Sequence, residues 1–227
     1  MLRYLYADQL HAEPKLAEGM FKDRARQFKD RLGWQVSIDE NGFERDQYDT
    51  LNPLYVVWQM PDGSHGGSMR LLPTMGPTMV NDHFRHLADG QQVRDPDIWE
   101  CTRFCVSPDA GSDVAAALML GGAEVGKNFA LSHVIGVFGR AMTRVYGQLG
   151  WGPVILGSHD GISAGLWEFS EQMRRRLCVK AGILPHTSSW WFNLSFNQVT
   201  AARRLRPARE LDLLLADAIH PCVAAAE

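Results

Sequence analysis

Two apolar runs, Leu54–Met60 (LYVVWQM) and Gly67–Leu72, flank the turn-forming cluster Pro61-Asp62-Gly63, and this arrangement predicts a β-hairpin. The hairpin commits the first half of the chain to antiparallel pairing. Around it, residues 1–7 read as a short strand, and Glu13–Leu32 as a helix opened by Pro14 and closed before Gly33. Ser37–Pro53 reads as an extended polar loop. Residues 73–97, rich in Pro, Gly, Asp and His, read as a long loop with one helical turn near Val80–Leu87, and Trp99–Val106 reads as a third strand.

The second half alternates. A helix is expected over Asp113–Phe129, capped by Ser112, followed by a strand at Ser132–Phe138. Met142, Val145, Tyr146 and Leu149 fall at i, i+3, i+4, i+7, with Gly150 as the stop, which predicts a helix from Arg140 to Leu149. Pro153–Gly157 reads as a strand. Leu166, Phe169, Met173 and Leu177 mark the buried face of a helix ending at Gly182, and Ser188–Ser195 reads as a last strand. The alanine-rich stretch Val223–Ala226 is expected to fray. Strands first, then strands alternating with helices, predict an α+β fold, an α/β sandwich around a central sheet.

Composition narrows the function. With 227 residues, 45% of them apolar, the chain can bury a full core, and one domain over 1–227 is expected. A net charge of −3 without a long Lys/Arg tract gives no footprint for nucleic acid. The longest apolar stretches, Val114–Gly122 and Val134–Phe138, are well short of the roughly 20 residues of a membrane span. Asp8 and Glu13 interrupt any secretory signal, so a cytoplasmic location is expected. Cysteines 101, 105, 178 and 222 form no C-x-x-C pair and read as reduced thiols; the eight histidines form no ligand motif, and no metal is expected.

Three stretches place charge where it is costly. Arg24 sits within the apolar stripe of the first helix, three residues after Phe21 and four before Phe28, so it either snorkels over the core edge or is paired. Glu44-Arg45-Asp46-Gln47-Tyr48-Asp49 concentrates carboxylates, either as a solvated acidic turn or as a grip on a cation. Glu100 and Arg103 lie inside the apolar strand Trp99–Val106, where a regular pleat would turn them to opposite faces. They can serve one pocket only if a bulge intervenes; otherwise the strand is an edge whose charges meet water.

Together these pieces resemble the acyl-homoserine-lactone synthase family, the autoinducer synthases of the LuxI type. Arg24, Phe28 and Trp34 are similar to the family's amino-terminal R-x-x-x-F and following Trp, and Asp46-Gln47-Tyr48-Asp49 to its D-x-[FY]-D. Gly67–Thr74 (GSMRLLPT) resembles its G-x-x-R-L-L-P-T, with Phe84 downstream, and Glu100–Phe104 resembles its E-x-[ST]-R-F. The five motifs stand in order across residues 20–106. Beyond residue 107 the resemblance is carried by helix spacing and Gly150-Trp151.

The resemblance implies a GNAT-like acyltransferase core with a central mixed, bulged sheet flanked by helices. It implies that the amine of S-adenosylmethionine, a substrate and not a cofactor, attacks an acyl thioester, after which its carboxylate displaces methylthioadenosine to close a lactone. Residues 1–110 would form the S-adenosylmethionine-binding and catalytic half, and 111–227 the acyl-chain and acyl-donor half. Glu100 becomes the candidate general base, with Arg103, Asp46 and Asp49 beside it. The two aspartates would hold the cationic substrate or fix Arg24 and Arg70. Arg24, Arg70 and Arg103 become candidates for the substrate carboxylate or for ordering the acidic loop, and Phe28, Trp34 and Phe84 for enclosing the adenosyl group.

Phe104, Phe138 and Met142 are expected to wall the acyl tunnel. Gly139 stands where relatives that prefer 3-oxo chains carry Ser or Thr, which hints at unsubstituted or unusual chains. The donor would be acyl carrier protein or acyl-coenzyme A, docked on Arg140 and Arg144, with Arg174 to Arg176 as a second basic cluster. Two rivals are an acyltransferase for another amine and a non-catalytic binding module. Neither accounts for all five motifs.

Overall fold

The computed structural model describes the backbone of residues 1–205 and side chains through residue 197; Cys222 and the stretch Val223–Ala226 lie outside the described residues. Seven strands form one sheet: β1 (Leu2–Tyr6), β2 (Leu54–Gln59), β3 (His65–Pro73), β4 (Ile98–Val106), β5 (His133–Gly139), β6 (Val154–His159) and β7 (Ile162–Glu168), in the order β1-β2-β3-β4-β5-β7-β6. Every pairing is antiparallel except β4 with β5. The helices are α1 (Pro14–Ala25), α2 (Met79–His83), α3 (Val114–Asn128), α4 (Met142–Leu149), α5 (Glu171–Ala181) and α6 (Pro185–Leu205).

The alternation along β2 shows why its run is continuously apolar. Leu54 and Val56 face the large core built on α3, whereas Tyr55 and Val57 face a smaller core under α1. Both faces are covered, so the strand has no wet side. On β3, Met69 and Leu71 join the α3 core, and the intervening Arg70 is turned to the α1 face, beneath the acidic loop.

The expected hairpin is β2–β3, and the expected bulge lies in β4. Ser68 pairs with Cys105 but Arg70 with Thr102, so one residue of β3 faces two of β4, and Arg103 at φ +54° absorbs the extra residue. The bulge brings Arg103 back to the face that Glu100 and Thr102 already occupy. β4 and β5 pair only from Ile98/His133 to Glu100/Ile135 and then part.

Several expectations are corrected. The first helix ends at Ala25 and gives way to a π-type turn over Arg26–Arg31. The polar loop contains a 3₁₀ turn at Gln47–Leu51. Asp113, not Ser112, occupies the N-cap of α3, without a side-chain bond. Leu166 lies in β7, an unexpected strand that forms a hairpin with β6, and the helix after it begins only at Glu171. The segment Ser188–Ser195 is helical, inside α6: Tyr4, Phe192 and Phe196 pack their rings together there, which favours helical spacing over a strand.

Candidate active site

Three arginines and three carboxylates form one buried network. Arg24 of α1, 1% exposed, donates through Nε to Glu44 Oε2 at 2.6 Å and through both terminal nitrogens to Asp49 at 3.0 and 2.9 Å. Arg70 of β3, fully buried, donates to Asp46, to Asp49 Oδ1 at 2.8 Å and to Thr102 Oγ1 at 3.0 Å. Arg103 reaches Glu44 Oε1 and Asp46 Oδ2, each at 2.8 Å. Charges this deep are tolerable because each is paired and hydrogen-bonded. Arg24 therefore does not snorkel, and the acidic segment is not a solvated turn.

Local geometry accounts for the three-residue spacing of the aspartates. Asp46 accepts the backbone N–H of Tyr48 at 2.9 Å and Asp49 accepts that of Asp46 at 2.9 Å, a reciprocal cap on the 3₁₀ turn. The turn is pinned from outside as well, since Tyr48 donates its hydroxyl to Asp82 and Tyr55 donates its own to Asp49. Burial alone would raise the Asp49 carboxyl, but the Arg24 and Arg70 guanidiniums hold it well below the usual carboxylate range.

Glu100 stands outside this neutral cluster. It accepts the backbone N–H groups of Met79, at 3.0 Å, and Val80, where α2 begins. Burial pushes its carboxyl up from 4.5 to about 7, against the pull of those two donors and of Arg70. A carboxyl poised near neutrality can exchange a proton with a substrate amine.

The parted β4 and β5 open a cavity of about 860 Å³ lined from both faces of the sheet. On the α1 side its wall includes Phe28, Trp34, Phe84 and Arg103, with Phe28 and Trp34 stacked at 5.2 Å and 7°. On the α3 side it includes Phe104, Phe138 and Met142 and runs on to Met119, Gly122 and Trp151. The two residue sets assigned to separate substrates thus line one continuous space. Gly136 lies just past the last β4–β5 pair, where a Cβ would stand 3.1 Å from the Cys101 carbonyl oxygen.

Arg140 and Arg144 lie exposed at α4, outside the cavity wall. The second expected basic cluster is corrected: Arg174 is buried and donates to Glu124 at 2.7 Å and to Glu171. It holds α5 to α3. Glu44 was missed as a site residue although it lies in the carboxylate-rich segment; three buried arginines called for three acceptors, and Asp46 and Asp49 supply two. Among the described residues, no cluster of three or more His, Cys, Asp or Glu side chains could hold a metal ion, and no helix is long and apolar enough to cross a membrane.

Comparison with known proteins follows the same lines. The autoinducer synthase family model matches residues 8–165. The chain is 39% identical over 188 residues to an acyl-homoserine-lactone synthase of Rhizobium etli, covering 78% of this chain and 88% of that protein. Among solved structures, MesI, a CoA-dependent acyl-homoserine lactone synthase, superposes with a TM-score of 0.72 at 25% identity, over 81% of this chain and 96% of that one. The acyl-homoserine-lactone synthase LasI gives 0.69 at 26% identity, again over 81% and 96%.

Proposed function

Because the chain belongs to the autoinducer synthase family, we infer that it is an acyl-homoserine-lactone synthase, an acyltransferase that joins an acyl group to S-adenosylmethionine and releases a quorum-sensing lactone. The observation that carries this reading is Glu100, a buried carboxyl near neutrality on β4 between Trp99 and Cys101, which themselves line the cavity of about 860 Å³. Glu100 takes a proton from the substrate ammonium. The free amine attacks the thioester carbonyl, an amide bond forms, and the carbon–sulfur bond breaks with the proton passing to the departing thiol. The substrate's own carboxylate oxygen then displaces methylthioadenosine and closes the ring.

The aromatic stack of Phe28 and Trp34, with Phe84, encloses the adenosyl group and excludes water. Arg24, Arg70 and Arg103, neutralised by Glu44, Asp46 and Asp49, form a rigid floor; the carboxylate rim of Asp46, the least buried of the three acids, faces the cationic substrate. The acyl chain occupies the α3 side, past Phe104, Phe138 and Met142. Arg140 and Arg144 meet the acidic donor, acyl carrier protein or acyl-coenzyme A; the CoA dependence of MesI keeps the second in view. Residues 1–110 supply most of the S-adenosylmethionine side and 111–227 most of the acyl side. The reaction needs no metal or cofactor, and we place the enzyme in the cytoplasm.

The test is release of methylthioadenosine from S-adenosylmethionine across a panel of acyl-carrier-protein and acyl-coenzyme A donors, with mass spectrometry of the organic extract. Donor-dependent release with a matching lactone is expected. Folded protein that binds acyl thioesters without release would overturn the reading.

A further inference from the structure

Glu100 is gripped by a five-residue helix that is too short to hold its own place. Its carboxyl accepts the amides of Met79 and Val80, the first two residues of α2, while Thr78, at the position where a capping side chain belongs, makes no side-chain bond to the helix. The base and the helix therefore fix one another, and side chains reaching other elements must fix the helix. Asn81 ties it to the loop before β4, accepting the Val93 N–H at 2.8 Å and donating to the Val93 carbonyl at 2.9 Å. Asp82 ties it to the acidic 3₁₀ turn, accepting the Tyr48 hydroxyl at 2.8 Å.

The second tie reaches into the arginine–carboxylate network. Tyr48 is 2% exposed, and the Arg70 guanidinium lies 5.5 Å from its ring centroid, so the phenol is anchored in the floor of the site. Asp82 is exposed, and neither residue is part of the cavity wall. Around Glu100 the charged and titratable groups are Arg70 of β3, Asp82 of α2, Tyr48 of the turn, and Cys101 and Arg103 of β4 itself. Burial pushes the Tyr48 phenol and the Cys101 thiol up, so both stay protonated, and Arg103 is satisfied by Glu44 and Asp46. Burial is also the main reason the Glu100 carboxyl lies near 7; the two amides and Arg70 pull against it, and the Asp82 charge adds to it.

We propose that Asp82 and Tyr48 are positioning residues for Glu100: their hydrogen bond holds α2 against the acidic turn, so that the amides of Met79 and Val80 keep the carboxylate turned to the substrate amine. The inference rests on Glu100 as the base of the assigned reaction and deepens it. Asp82 acts twice, by its bond on where Glu100 stands and by its charge on how readily Glu100 takes a proton.

The experiment measures kcat, KM for S-adenosylmethionine and the pH profile by methylthioadenosine release, in the unaltered protein and in folded variants. Tyr48→Phe and Asp82→Ala are each expected to lower kcat by roughly 10-fold with KM within about twofold, and the double variant to lose no more than about twofold beyond either, because both cut the same bond. Asp82→Asn keeps an oxygen for the Tyr48 hydroxyl but not the charge. It is expected to lose less than Asp82→Ala and to move the acid limb of kcat/KM to lower pH, a shift that a merely structural role would not produce. Multiplying losses in the double variant, a rise in KM at unchanged kcat, or an unmoved limb in Asp82→Asn would each overturn the inference. An unaltered protein with no limb near pH 7 would instead overturn the base assignment, and one that releases nothing from any donor would overturn the assigned reaction.

Discussion

At the scale of single residues, the site separates groups that must stay charged from one that must change charge. Arg24 belongs to the first kind. Replacing it by Ala leaves Glu44 and Asp49 buried with one of their two cations gone, and a loss of about 3–5 kcal/mol is expected in the unfolding free energy by denaturant titration. Glu100, the proposed base, belongs to the second. A base works only when ionised, so kcat/KM is expected to rise with pH through about 7 and level off above it. Glu100→Gln is expected to lower turnover by about 10²–10⁴ and to remove that limb of the profile. The stability effect has the opposite direction. With a folded value of about 7 and an ordinary value of 4.5, this carboxyl binds its proton more tightly in the folded protein, so its contribution falls as pH rises across that window. A flat rate profile around neutrality would sink the base assignment.

At the scale of elements, punctuation in the sequence decided what could be read. Gly150 and Gly182 both adopt left-handed backbone, φ +98° and +64°, and the helix stops expected there are the ones found. β7 was missed although its signal was present: Asp160-Gly161, at φ +47° and +77°, is the two-residue turn of a tight hairpin. The regular helical spacing of Leu166, Phe169, Met173 and Leu177 hid it, because a strand followed by a helix happened to keep that period. The run SSWWFNLS reads as a strand by its aromatics, yet tertiary packing on β1 makes it helix, a case of context overriding propensity. The β4 bulge was legible only as a conflict, two charges that a regular strand could not turn to one side. The extent of the cavity was not legible, since it depends on how far β4 and β5 part. Gly122 of α3 lines the acyl side, and a Cβ there would stand 2.9 Å from Met69 Cε. Gly122→Val is expected to fill the tunnel and shift the products to shorter acyl chains, as read by mass spectrometry of the lactones. An unchanged product distribution would show that the acyl chain does not reach α3.

At the scale of the molecule, charge does two jobs in two places. Inside, the arginine–carboxylate network couples α1, the acidic turn, β3 and β4, so its protonation is a global event. Asp49 titrates well below its ordinary 3.8 in the folded protein, so its contribution is complete above that value and is lost as the solution is acidified beneath it. Cooperative acid unfolding is expected there, and circular dichroism against pH should show less of it in Asp49→Asn. Outside, Arg140→Glu with Arg144→Glu is expected to lower kcat/KM for an acyl-carrier-protein donor by about 10-fold, with a weaker salt dependence and an unchanged melting temperature. The fold also ties its first strand to its last described helix: the Tyr4 N–H donates to Ser195 Oγ at 3.3 Å across 191 positions, and the Tyr4 ring lies 4.9 Å from Phe192. During synthesis β1 leaves the ribosome long before α6 exists. Tyr4 must then wait with its ring uncovered, a nascent chain exposed to chaperones and to its neighbours until α6 arrives and covers it.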